Sequence, residues 1–530
     1  MVLLALVPRA LTTGHFQTTD EVLWMERSRN FSDALLLLDP AAASAATGPL
    51  PTMPGVTPMW IGAAARAVWW SGARLGLMDD RVDYTASPVA LHLAQLGVAC
   101  ATSLLIGLVV LLAWRWAEPV TALTAGALLA SEPFLVAHSA VIHTDALTGL
   151  FGVAGTLALL MALAVPLPAT GHPIAMATLA GALLAGAFLT KASALALAPG
   201  LFLVVVGTMM YDARQSRRRG EPIGAPLWRR VRLLLLAGGV ALAVIVLTWP
   251  AIWADTVRQL TLLYNSIHSA VTGHQTFFLG HITATPGPLF CFVVIPLRMT
   301  PWFLLGSLLL IPIALVRGKR WHTAILLVIG GCVVAVLSLA SKQMDRYAIT
   351  ALPFAALALG LGLAALVGET RGSRLVAVGL AIAALLTLHA IWIAPWGLAY
   401  FDPLLGGGTT AERATLVGWG EGLEIAGEWI RQREAPSCGV KIGLMYANIT
   451  SAFPCGTTTY DLQGVDYVAL YVNQRQRLTP DALTALRQRG ALVHVVTVRG
   501  MDYVEIYDMR QPPGASNSTN VASSDAEARR

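Results

Sequence analysis

Residues 87–113 read SPVALHLAQLGVACATSLLIGLVVLLA, a run without one Asp, Glu, Lys or Arg. As a helix, such a run is long enough to cross the roughly 30 Å hydrocarbon core of a bilayer. Apolar runs of similar length recur at about 119–137, 144–165, 173–190, 192–211, 232–250, 301–316, 323–340, 347–367 and 375–394. Residues 1–12 are apolar but short and interrupted by Pro8 and Arg9; they read as a short or tilted first helix or as a truncated start. Counting them, the sequence predicts an α-helical polytopic membrane protein with about 11 transmembrane helices.

Composition agrees. Charged residues make up 12% of the chain and hydrophobic ones 56%. Mean hydropathy is +0.64. A soluble protein carries about twice that charge fraction. The net charge of +6 does not point to nucleic acid, because the cations fill short loops between apolar runs. Arg214, Arg217, Arg218, Arg219, Arg229, Arg230 and Arg232 form the densest such loop. The positive-inside rule then places the N-terminus in the cytoplasm, together with Arg115, Arg317, Lys319, Arg320, Arg371 and Arg374. Residues 13–86, 251–300 and everything after Pro395 fall outside.

Three domains follow. Residues 1–399 form the membrane domain. Its first outer loop, 13–86, carries an amphipathic helix at 58–77 with Trp60, Trp69, Trp70, Arg66 and Arg74. That helix suits the headgroup layer, or packs on the outer domain. Residues 400–509 read as a small extracytoplasmic α/β domain: a helix over 410–433, strands at 440–445, 466–472, 492–498 and 503–507, and a helix near 479–489. Residues 510–530 are rich in Ser, Asn, Ala and Pro and read as a disordered tail. Cys438 and Cys455 are the candidate disulfide if that domain meets an oxidising compartment. Cys100, Cys291 and Cys332 lie in apolar runs.

Ionisable residues at a membrane edge are functional suspects. Topology brings Asp20, Glu21, His143, Asp145, Lys191, Lys342, Asp345 and Arg346 to one side. Leaving them unpaired beside hydrocarbon costs several kcal/mol each. Together they suit group transfer from a lipid phosphate. A carboxylate takes the proton of an attacking hydroxyl, and cations receive the anionic leaving group. Arg346 fits a phosphate through two parallel hydrogen bonds, with Lys342 and Lys191 as point charges. Asp20 is the candidate base; Glu21 or Asp145 orients the acceptor; Asp20 and Asp145 are also the candidates for holding a divalent cation. No cofactor is certain. Each residue has a plainer reading: helix caps for Asp20, Glu21 and Asp145, helix-end hydrogen bonding for His143, snorkelling for Lys191, interfacial anchoring for Lys342 and Arg346. Gly406-Gly407-Gly408 and Gly418-Trp419-Gly420-Glu421-Gly422 read as turns and caps.

The ordered set resembles a family. Thr18-Thr19-Asp20-Glu21 after the first span, His143-Thr144-Asp145 opening a later one, Leu189-Thr190-Lys191, Thr300-Pro301-Trp302, Asp345-Arg346-Tyr347, Tyr400-Phe401-Asp402-Pro403 and Gly418-Trp419-Gly420-Glu421 are similar to the GT-C glycosyltransferases. The branch is that of protein O-mannosyltransferases and the aminoarabinose transferase of lipid A. The resemblance implies a multi-pass protein of a bacterial-type plasma membrane. Its partners would be the bilayer, a polyprenyl-phosphate sugar donor, and a protein or glycolipid acceptor. It implies inverting hexosyl or pentosyl transfer with Asp20 as base, Asp145 as second acid, Arg346 beside the lipid phosphate, Lys342 and Lys191 supporting it, and His143 in an acceptor or secondary role. The alternative is a secondary transporter or lipid flippase, which should show repeat symmetry and broken helices at mid-membrane.

Overall fold

A computed structural model describes residues 1–46, 54–79, 82–166, 172–269, 273–368, 373–444 and 449–512. Most of the expected tail, 510–530, lies outside these residues, as does Arg371.

Among the described residues, six helices are long and apolar enough to cross a membrane: Pro88–Trp116, Asp145–Ala162, Pro173–Thr190, Ala192–Arg219, Gly224–Thr248 and Arg320–Leu339. Two bent pairs bring the number to as many as eight if each is one span, Phe290–Arg298 with Pro301–Val316 (117°) and Gly379–Ile393 with Gly397–Leu405 (95°); Pro119–Ser131 and Leu352–Val367 are apolar but shorter. The Asp145–Ala162 helix lies at the centre, with nearly all its residues buried. The Gly224–Thr248 helix lies at the edge. Its Leu235, Leu242 and Leu247 are 65, 62 and 69% exposed, an apolar face suited to hydrocarbon.

Helices without a hydrophobic drive between them pack through small residues. A Cβ on Gly362 would come within 2.1 Å of the Leu310 carbonyl, and one on Gly181 within 2.2 Å of that of Ala237. Backbones thus meet where no side chain fits.

The apolar run at 119–137 does not form one helix. It stops at Ser131 and restarts as Pro133–His138. Proline removes a backbone donor and pushes Glu132 into extended geometry (ψ 114°). The freed carbonyls find a buried partner. Arg9, on the Val2–Ala10 helix, donates to Leu129 O at 2.9 Å and Ala130 O at 3.0 Å. The cation that interrupts the first apolar stretch therefore closes the end of another helix.

The described residues between the first helix and Pro88 are mainly helical. It contains Thr19–Leu36, Pro40–Ala46 and Val56–Arg74. The last of these is the amphipathic helix expected at 58–77. It packs on Thr19–Leu36 and on Pro88–Trp116.

The C-terminal region folds around a five-stranded sheet in the order Thr457–Thr459, Lys441–Leu444, Tyr467–Tyr471, Met501–Asp508, Ala491–Val498. The first two pairings are parallel and the last two antiparallel. The helix expected over 410–433 is two, Gly407–Ala414 and Leu423–Glu434. Glycines at positive φ split it: Gly418 (92°), Gly420 (129°) and Gly422 (88°). Cys438 and Cys455 are joined in a disulfide.

Candidate active site

Asp20 stands in the first turn of the Thr19–Leu36 helix, and its neighbour fixes it there. Glu21 accepts hydrogen bonds from the backbone N–H of Thr18 (2.7 Å) and of Ile142 (2.8 Å) and from Gln95 Nε2 (3.0 Å). Both of its oxygens are spent and it is fully buried. Glu21 thus ties three segments together, behind the cavity rather than in its wall.

A chain of opposite charges runs from Asp20 inward. Arg346, in the short Asp345–Thr350 helix, places Nη2 3.2 Å from Asp20 Oδ2 and Nε 3.3 Å from Asp145 Oδ2. His143 stands between the same two carboxylates, with Nε2 3.2 Å from Asp20 and Nδ1 3.1 Å from Asp145. Lys191 closes the chain on Asp145 Oδ1, its ammonium also 4.0 Å from the centre of the Tyr347 ring. Opposite charges this close compensate the loss of water. Burial works to raise the Asp20 pKa. Arg346 and His143 outweigh it and hold the carboxyl well below the usual carboxylate range.

The chain opens into a cavity of about 200 Å³ lined by Asp20, His138, Arg298, Asp345 and Arg346 from the helical region and by Gly418, Trp419, Asn473 and Arg477 from the C-terminal region. Trp419 lies over the Arg346 guanidinium at 4.6 Å. Its position depends on the flanking glycines. A Cβ at Gly418 would meet Tyr471 at 2.7 Å, and one at Gly420 the Gln17 carbonyl at 2.6 Å. Arg298 pairs with Asp345 (Nη2–Oδ2 2.5 Å) and donates to the carbonyls of Leu398 and Tyr400.

The structure therefore gathers Asp20, His143, Asp145, Lys191 and Arg346 into one network. Lys342 stands near it without an ion pair among the described residues. Asp20 and Asp145 already share His143 and Arg346, so a cation between them would have to displace the guanidinium. Among the described residues no three His, Cys, Asp or Glu side chains gather as a metal site. Arg298, Trp419, Asn473 and Arg477 were not singled out from sequence as site residues. Of these only Trp419 lies in a motif visible in the sequence, Gly418-Trp419-Gly420-Glu421, which reads as a turn and carries part of the resemblance without assigning Trp419 a role.

No protein-family model matches the sequence, and no curated protein matches it. Solved structures do. The chain is similar to ArnT from Cupriavidus metallidurans bound to undecaprenyl phosphate, with 15% identity and a TM-score of 0.52 over 96% of each chain. It is similar to the apo state of that protein at the same identity and score, over 97% of this chain and 98% of the other. An oligosaccharyltransferase from Archaeoglobus fulgidus aligns at 13% identity and a TM-score of 0.44, over 95% of this chain and 72% of that one. The chain has the GT-C fold, that of a multi-pass membrane protein with a small C-terminal sheet region.

Proposed function

We propose that this protein is a membrane glycosyltransferase. It moves a sugar from a polyprenyl-phosphate donor to a hydroxyl of a protein or glycolipid acceptor, with inversion, on the extracytoplasmic side. The observation that carries the reading is the meeting of Asp20 and Arg346 at one open cavity (3.2 Å), on a fold shared with ArnT. A base and a phosphate-binding cation are the two groups such a transfer needs at one point.

In the proposed reaction the acceptor hydroxyl gives its proton to Asp20 and its oxygen attacks the anomeric carbon. The bond from that carbon to the phosphate oxygen breaks on the opposite face, and polyprenyl phosphate leaves with the electron pair. Arg346 receives the phosphate charge, and Lys342, which has no ion pair among the described residues, is a further cation to support it. Lys191 acts through Asp145, which in turn orients Arg346 and His143. Arg346 also times the base. While it pairs with Asp20 the carboxylate is a weak base. A donor phosphate that draws the guanidinium away leaves Asp20 more basic when the acceptor arrives.

Charge placement supports the orientation. Lys319 pairs with Glu118, and Arg230 with Asp212 and the Leu163 carbonyl, at helix ends remote from the Gln95–Glu21 contact. These cations lie at the end away from the cavity, where the positive-inside rule would put a cytoplasmic face. The test is purified protein with a radiolabelled polyprenyl-phosphate sugar. Asp20→Asn should abolish transfer while donor binding survives; undiminished transfer by that variant would overturn the assignment.

A further inference from the structure

The two strands Ala491–Val498 and Met501–Asp508 are joined by a two-residue turn, since Val498 faces Met501 in the register. The turn is Arg499-Gly500, and both residues have positive φ, 49° and 78°. Such turns favour Asn, Asp or Gly at the first position: Gly has no Cβ to clash, and the short polar side chains of Asn and Asp offset the strain by bonding to the local backbone, which a long side chain does not. A residue that fits its backbone badly is often kept for what its side chain does.

That side chain reaches the membrane domain. The Arg499 guanidinium lies 4.8 Å from the centre of the Trp392 ring, near the end of the Ser373–Ile393 helix. Arg499 has no carboxylate partner among the described residues, and burial pushes its pKa down. Trp392 is 69% exposed. It belongs to an aromatic group with His389, Trp302 and Tyr400, with His389 4.6 Å from Trp302 and 6.2 Å from Tyr400. Below the turn, Met501 packs on Gly408, next to the exposed Leu404 and Leu405. A cation without a counter-ion, tryptophans and exposed leucines at the end of an apolar helix together match the headgroup layer of a bilayer.

We propose that Arg499 and Trp392 form a binding site for the phosphate of an anionic bilayer lipid, and that this contact seats the C-terminal domain on the membrane. The lipid supplies the missing charge, and Trp392 holds the guanidinium flat at headgroup depth. The site is separate from the cavity at Asp20, so it stands or falls apart from the proposed transfer.

The test uses the full chain in detergent and in bicelles of phosphatidylcholine with or without phosphatidylglycerol. Arg499→Asn removes the cation yet suits the turn, so a folding failure is not expected. In detergent this variant should melt at or above the wild-type temperature. Phosphatidylglycerol should raise the melting temperature of the wild type and not that of the variant. Native mass spectrometry should find phosphatidylglycerol retained on the wild type several-fold more than on Arg499→Asn or Trp392→Ala. Equal response to phosphatidylglycerol in wild type and Arg499→Asn, or equal retention, would overturn the proposal.

Discussion

Arg346→Gln is the most informative perturbation of the cavity, because it separates binding the phosphate from tuning the base. Arg346 stands 3.2 Å from Asp20. Two unit charges at that distance attract by about 5 kcal/mol at an effective dielectric of 20 and by about 1.3 kcal/mol in bulk water. The Asp20 side chain is 35% exposed, which argues for a value toward the lower end, about 2 kcal/mol. That corresponds to about 1.5 pH units. In the proposed mechanism Asp20 works as an ionised base, so the rate falls as pH drops through its pKa. In the wild type Arg346 holds that pKa low, and kcat/KM should stay flat well into acid. In the variant the acid limb should move up by about 1.5 pH units, in addition to a lower rate at every pH. The assay is kcat/KM for transfer from a polyprenyl-phosphate sugar across the acid range, which reports ionisation of the free enzyme. An acid limb at the same pH in both proteins, or a wild-type rate in the variant, would refute the reasoning.

Glu21→Gln should destabilise the protein by about 2–4 kcal/mol, because one amide cannot accept from Thr18, Gln95 and Ile142 together; a thermal midpoint unchanged from wild type would count against the fixing role assigned to Glu21. Glu424 concerns pH instead: burial pushes its carboxyl up to about 8. The folded state then holds a proton that the unfolded chain releases above about 4.5, so stability is lost as pH rises from there to about 8. Glu424→Gln should match the wild type at pH near 5 and melt higher than it at pH near 9, as circular dichroism would record.

How far the sequence could be read depended on the range of the interaction concerned. Apolar runs announced the membrane helices because length and hydropathy are local quantities, and short β-like runs announced four of the C-terminal strands for the same reason; the fifth, Thr457–Thr459, is three threonines and carries no apolar signal. Asp20, His143, Asp145, Lys191 and Arg346 stood out because charge is rare in such a chain. Other features were hidden. Glu132-Pro133 breaks a run that hydropathy read as continuous. The division of Glu21 from Asp20 was not legible either. Both are acidic and adjacent, and only the approach of Gln95 and Ile142 makes one a fixing residue while the other faces the cavity. Trp419 read as part of a turn because its partner, Arg346, lies 73 positions earlier in the chain, in a separate helical segment.

The sequence by itself settled what this protein is made of: helices suited to lipid, a small sheet after them, and a few charges too costly to be incidental. Tertiary structure decided which charges meet. Asp20 and Arg346 are 326 positions apart, and no local pattern relates them. Hydropathy acts residue by residue, so it survives in the linear order. A salt bridge inside a cavity depends on how whole helices pack, and that order does not record it.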